Sequence, residues 1–228
     1  MTGNGGSGKS RAMLDGGLAF FGAVTASVSH ELNNVISIVN QTAGLLQDMI
    51  AADEKGIPIN ISRLATAVGT IQAQTGRGLG IIGRLNRFAH SADEASVEFD
   101  AGEVLGNLVE LCRRLAGLKY AKLELECPAG GIRMTGNPFL VQAAVFLAIR
   151  AALGAVERDD TIRVSAQTEG GGVLARVECP RRIDAADPDM AALRSIVEYL
   201  NAVVDVRYEG GSVVVEMVFA GGGPGRSA

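Results

Sequence analysis

The chain has 228 residues, 47% of them hydrophobic and 20% charged, with a formal net charge of −4. That is enough apolar material for one large domain or two small ones with genuine cores, and it excludes a disordered or fibrous protein. The slight negative charge and the 4% aromatic content exclude a basic field or a stacking platform for nucleic acid.

Residues 1–16 are rich in Gly and Ser, lack periodicity and read as a flexible leader. Within them Gly3-Asn-Gly-Gly-Ser-Gly-Lys-Ser10 matches a phosphate-loop pattern. Such a loop needs a strand to deliver it, and only Met1 and Thr2 precede it, so a nucleotide-hydrolysing loop ranks last among the readings. No basic region followed by an apolar one marks a signal peptide, which with the cysteine pattern below suits a cytoplasmic location.

Residues 17–92 carry a helical period. Leu18, Phe21, Thr25, Val28, Leu32, Val35, Val39, Thr42, Leu46 and Met49 recur at spacings of three and four, which sets them on one seam. Gly56 and Pro58 break the run. A second helix follows with Ile61, Leu64, Val68, Ile71, Ile82 and Leu85 on its seam. A two-helix hairpin cannot bury both stripes within itself, so a homodimeric four-helix bundle is expected.

Residues 98–220 mix strands and helices. Asp100 and Glu103 open a helix to about Gly117. Lys122–Cys127 alternates as a strand, and Ile132–Met134 is expected to pair with it across Pro128–Gly131. Asn137-Pro138 starts an apolar helix to about Val156; its stretch from Leu140 contains Gln142 and Arg150 and is short of the roughly 20 residues that span a membrane. Thr161–Thr168 and Val173–Cys179 form a hairpin, Asp187-Pro188 opens a third helix to about Asn201, and Val203–Tyr208 with Ser212–Phe219 closes the domain. Three helices on a largely antiparallel sheet make a two-layer α/β sandwich, so the fold class is α+β. Residues 221–228 read as a flexible tail. Cys112, Cys127 and Cys179 lie far apart without a CxxC, giving neither a disulfide framework nor a zinc site and suiting a reducing compartment.

The informative site is Ser29-His30-Glu31-Leu32-Asn33-Asn34. Val28, Leu32 and Val35 take the seam, which turns His30 to the opposite, solvent side. A histidine kept for packing would sit on the seam; an ordinary surface histidine remains the alternative. The functional reading is a nucleophilic imidazole on a rigid helix, with Glu31 adjacent and Asn34 one turn on along the same face. His90, ending the second helix, reads as a dipole cap, and Arg181-Arg182 as a solvated pair.

Phe21-Gly-Ala-Val-Thr-Ala-Ser-Val-Ser-His30-Glu-Leu-Asn-Asn34 resembles the phosphoacceptor box of sensor histidine kinases, S-H-E-[LI]-x-N. The strand and helix order of the second half is similar to that family's ATP-binding (GHKL) domain. The resemblance implies that His30 is the phosphoacceptor, that Glu31 is its acid/base partner, and that Asn34 holds water or a phosphoryl oxygen in the phosphatase direction. The family's proline after that Asn is replaced by Val35. The nucleotide site departs further. Leu147 and Ala151 stand at the two asparagine positions, Glu178-Cys-Pro-Arg-Arg182 replaces D-x-G-x-G, no long lid precedes Asp187, and Met190–Ile196 lacks a second glycine box. Glu178 could stand in for the missing Asp only with a register slip of one residue.

These departures imply a degenerate ATP-binding domain like that of kinase-derived bacterial histidine phosphotransferases. His30 would exchange a phosphoryl group with the aspartate of response-regulator receiver domains docking at Ser27, His30, Glu31 and Asn34, with no cofactor or metal of its own. The alternatives are the core of an autophosphorylating sensor kinase and a non-catalytic dimeric scaffold.

Overall fold

The computed structural model describes residues 5–128 and 131–220. In chain order the elements are α1 (Gly5–Asp53), α2 (Ile61–His90), β1 (Val97–Asp100), α3 (Ala101–Leu118), β2 (Lys122–Glu126), β3 (Arg133–Gly136), α4 (Pro138–Ala155), β4 (Thr161–Glu169), β5 (Gly172–Cys179), α5 (Pro188–Tyr199), β6 (Val203–Glu209) and β7 (Ser212–Phe219). The chain forms two compact units, residues 25–86 and the segments on either side of them. The leader expected over 1–16 is corrected from Gly5 onward, because α1 starts there. Met1–Asn4, including the start of the phosphate-loop pattern, and the tail 221–228 lie outside the described residues.

The unit 25–86 is a helical hairpin. Gly56 turns the chain at φ 82°, and the side chain of Asn60 caps α2 by accepting from the Arg63 amide at 3.1 Å. Val28 and Val35 are buried on α1, and Ala67 and Ile81 on α2. A Cβ added at Gly78 would lie 3.3 Å from Val35 Cγ1, so the helices close on a small residue there. The expected α2 seam holds at Leu64, Ile71 and Leu85, which are half-buried, and fails at Ile61, Val68 and Ile82, which are exposed. Small residues permit the closer approach, so Ala67 and Gly78 face inward while Val68 and Leu79 beside them remain outside.

The other unit holds a five-stranded sheet in the order β2-β4-β5-β7-β6, with β2 and β4 parallel and the other pairs antiparallel. Ile162 and Val164 of β4, Val177 of β5 and Val215 of β7 are buried on the face covered by α3, α4 and α5. The hairpin expected between Lys122–Cys127 and Ile132–Met134 is not formed; β3 pairs antiparallel with β1, a strand absent from the sequence reading. Asp100 explains the switch. Its Oδ1 accepts from the amides of Gly102 at 2.8 Å and Ile132 at 3.2 Å, while the Ala101 amide donates to the Ile132 carbonyl at 2.8 Å. One carboxylate therefore caps α3 and draws the chain after the loop onto β1.

Helix α4 is buried along most of its length. It is apolar and long enough to cross a membrane, but 78% of that stretch is buried within the fold, which marks a core helix. Phe20 of α1, Phe88 of α2, and Phe139 and Phe146 of α4 form one ring cluster, with centroid separations of 4.7 to 5.8 Å. Such pairs contribute about 0.5–1.5 kcal/mol each beyond burial. Beside them the Gln142 amide, buried, donates to Ser91 Oγ at 3.0 Å and to the Pro138 carbonyl at 3.2 Å.

Candidate functional site

Two antiparallel helices facing each other present the residue before each contact residue on one side and the residue after it on the other, because each step turns about 100°. Taking Val35 and Gly78 as the contact residues puts Asn34 and Arg77 on one face, and Ile36 and Leu79 on the other. Arg77 Nη2 lies 3.9 Å from Glu31 Oε2, which places Glu31 on the first face too. His30 lies further round α1 on the same side. The hairpin thus has a polar face carrying His30, Glu31, Asn34 and Arg77. Its opposite flank is apolar, with Ile36, Ile61, Val68, Leu79 and Ile82 exposed.

His30 and Asn34 are exposed, and among the described residues the imidazole has neither a hydrogen bond nor an ion pair. Both ring nitrogens are open to a reacting group. Glu31 is half-buried and turned toward Arg77, not bonded to the imidazole. Ser27 departs from expectation: it is only 2% exposed, and its hydroxyl has no hydrogen-bond partner among the described residues. It is therefore not part of the surface that a docking protein would meet. Arg77 was missed in the sequence because its position opposite Glu31 depends on the register of the two helices, which no local pattern reveals.

The nucleotide positions of the histidine-kinase fold fall in the α/β unit. Leu147 and Ala151, at the positions of the kinase asparagines, are buried and offer no oxygen to magnesium. Arg150 of α4 is bonded through two nitrogens to the Asp189 carboxylate at the start of α5, and Met190, Leu193, Ile196 and Val197 of α5 are buried. Cys179, not Glu178, takes the helix-facing position at the end of β5, with its buried Sγ 3.9 Å from the Ala152 carbonyl; burial pushes its thiol pKa up. Glu178 lies on the open face of the sheet, 3.9 Å from Arg163. These side chains do not fit a magnesium nucleotide.

The remaining charged features pair among themselves. Arg181 binds Asp160 at 2.8 Å and Glu157 at 3.0 Å, and Arg182 lies over the Tyr208 ring at 5.5 Å. On the open face of the sheet, a cleft of about 590 Å3 is lined by Arg163, Arg176, Arg207 and several glutamates. There Glu216 is held by Arg176 at 2.7 Å and by Arg207 at 2.9 Å, a cross-strand lattice rather than an open binding site. Cys112, Cys127 and Cys179 are free thiols.

Among solved structures, the histidine kinase AdeS of Acinetobacter baumannii superposes with a TM-score of 0.50 at 12% identity, over 85% of this chain and 98% of that one. The catalytic domain of histidine kinase ThkA, in a nucleotide-free form, gives a TM-score of 0.50 at 11% identity, over 56% of this chain and 97% of that one. The fold is that of histidine kinases. In sequence, the chain is 25% identical over 163 residues to the C4-dicarboxylate transport sensor protein DctB of Rhizobium meliloti. That match covers 70% of this chain and 25% of the relative, so the chain spans about a quarter of its length. No family model matches the chain. The box around His30, the fold and this match make the chain similar to sensor histidine kinases.

Proposed function

We propose that this protein carries a phosphoryl group on His30 and exchanges it with the aspartyl phosphate of response-regulator receiver domains, without binding ATP itself. The observation that carries the reading is an exposed imidazole, unpartnered among the described residues, in the phosphoacceptor box of a chain whose magnesium-ligand positions are the buried Leu147 and Ala151. In the transfer, the lone pair of a ring nitrogen attacks phosphorus, and the bond to the aspartyl oxygen breaks with its electron pair. The carboxylate leaves, the ring becomes a phosphorylated imidazolium, and no net proton moves. The acyl phosphate supplies the driving force. Asn34, exposed on the same face, would bond a phosphoryl oxygen or water. The apolar flank would pair with a second copy to form a cytoplasmic four-helix bundle, leaving the polar face free for the receiver.

Purified protein mixed with a labelled, phosphorylated receiver should acquire acid-labile label. Its persistence in His30→Ala would refute the assignment. A second reading, the core of an autophosphorylating sensor kinase, is favoured by the kinship with a sensor protein. Radiolabelled ATP separates the two, since the first expects no incorporation and no rise in Tm with magnesium-ATP.

A further inference from the structure

Arg77 is a cation that the hairpin seats against the box, and Arg84, two turns further along α2, shares its face. Its guanidinium lies 3.9 Å from Glu31, beyond a hydrogen bond, and its side chain is 55% exposed against 19% for Glu31. Such a loose, solvated pair contributes little to stability, so little holds Arg77 in that place. A phosphoryl group on His30 changes the local balance. It places about two negative charges beside the Glu31 carboxylate, only partly offset by the cationic ring, and the repulsion would disfavour the phosphorylated state unless a cation stood nearby. A guanidinium is suited to the task because its planar fork meets two oxygens of one phosphoryl group.

We propose that Arg77 is a phosphoryl-contacting residue: it rests against Glu31 before phosphorylation and turns to the phosphoryl oxygens afterward. The inference rests on His30 being the phosphoacceptor. Arg77 is assigned because it is seated against the residue next to His30. Arg63, on the same helix, lies 14 positions earlier, about 21 Å along the axis at 1.5 Å per residue, and is too distant for the role.

The test treats the full-length protein with potassium phosphoramidate, a small donor that needs no partner, and follows the phosphohistidine by 31P NMR against pH. A nearby guanidinium favours the dianion, so Arg77→Gln should raise the second phosphoryl pKa by roughly half a pH unit. Arg63→Gln should leave it unchanged. A phosphoryl titration in Arg77→Gln equal to that of wild type, with far-UV circular dichroism intact, would overturn the proposal. Should that variant fail to fold, Arg77→Met, which keeps the apolar stem, gives the same comparison. If neither phosphoramidate nor a phosphorylated receiver labels His30 in the wild type, the phosphoacceptor reading falls, and this proposal with it.

Discussion

At the scale of single residues, the polar box separates exposed chemistry from buried structure within one turn of helix. His30 stands in solvent, while Ser27, three positions earlier, buries a hydroxyl with no hydrogen-bond partner among the described residues. A buried polar group left unpaired costs about 1–3 kcal/mol, so Ser27→Ala is expected to stabilise the protein by about 1 kcal/mol in urea denaturation. The same substitution should leave the rate of label transfer from a receiver within about twofold, because the side chain offers a partner almost no surface. A large fall in that rate would mean that α1 opens on docking. Glu31 shows why a neighbour in sequence is not a neighbour in space. It is adjacent to His30, yet its carboxylate turns toward Arg77, since consecutive helical residues point about 100° apart.

Among the elements, helix α2 illustrates how packing overrides hydrophobic pattern. Glycine in a helix costs about 1 kcal/mol relative to alanine, but a Cβ at Gly78 would crowd Val35. Gly78→Val should therefore destabilise the hairpin by about 1–3 kcal/mol, measured as a lower denaturation midpoint. Asp100 links two other elements. Its carboxyl pKa is lowered chiefly by the hydrogen bond from the Ile132 amide, with the Gly102 and Glu103 amides adding to the effect against some desolvation. Because the folded pKa lies below the unfolded value, the stabilisation is full above the ordinary carboxylate range and is lost as pH falls through the folded pKa. The expected result is that wild type loses stability below about pH 4, and that Asp100→Ala, weaker by about 1 kcal/mol at neutral pH, loses less over that interval. Parallel loss in both proteins would exclude the carboxylate as the cause. The long periodic helices, the capped starts at Asp100, Asn137 and Asp187, and both glycine-turned hairpins were legible because their signals are local. The pairing of β3 with β1 was not, since it depends on a carboxylate meeting an amide 32 positions away. Nor was the inward seam of α2, where Ile82 and the buried Ile81 are equally apolar neighbours.

Over the whole molecule, the apolar flank of the hairpin bears on assembly. Ile61 is 70% exposed, Leu79 66% and Ile36 62%, on the face opposite His30. A second copy covering that flank would bury the stripe and keep both imidazoles accessible. Light scattering is expected to show a dimer for the wild type and a monomer for the double variant Val68→Lys with Leu79→Lys; a monomeric wild type would remove the bundle from the proposal. The phenylalanine cluster carries a different consequence. Phe20 and Phe88 come from the two roots of the hairpin, whereas Phe139 and Phe146 belong to the core helix of the α/β unit. Cutting the chain near residue 92, where composition invites a boundary, would split that set and leave bare rings on both fragments. Halves expressed separately would be sticky and prone to precipitate, whereas the same halves produced together could restore the shared seal.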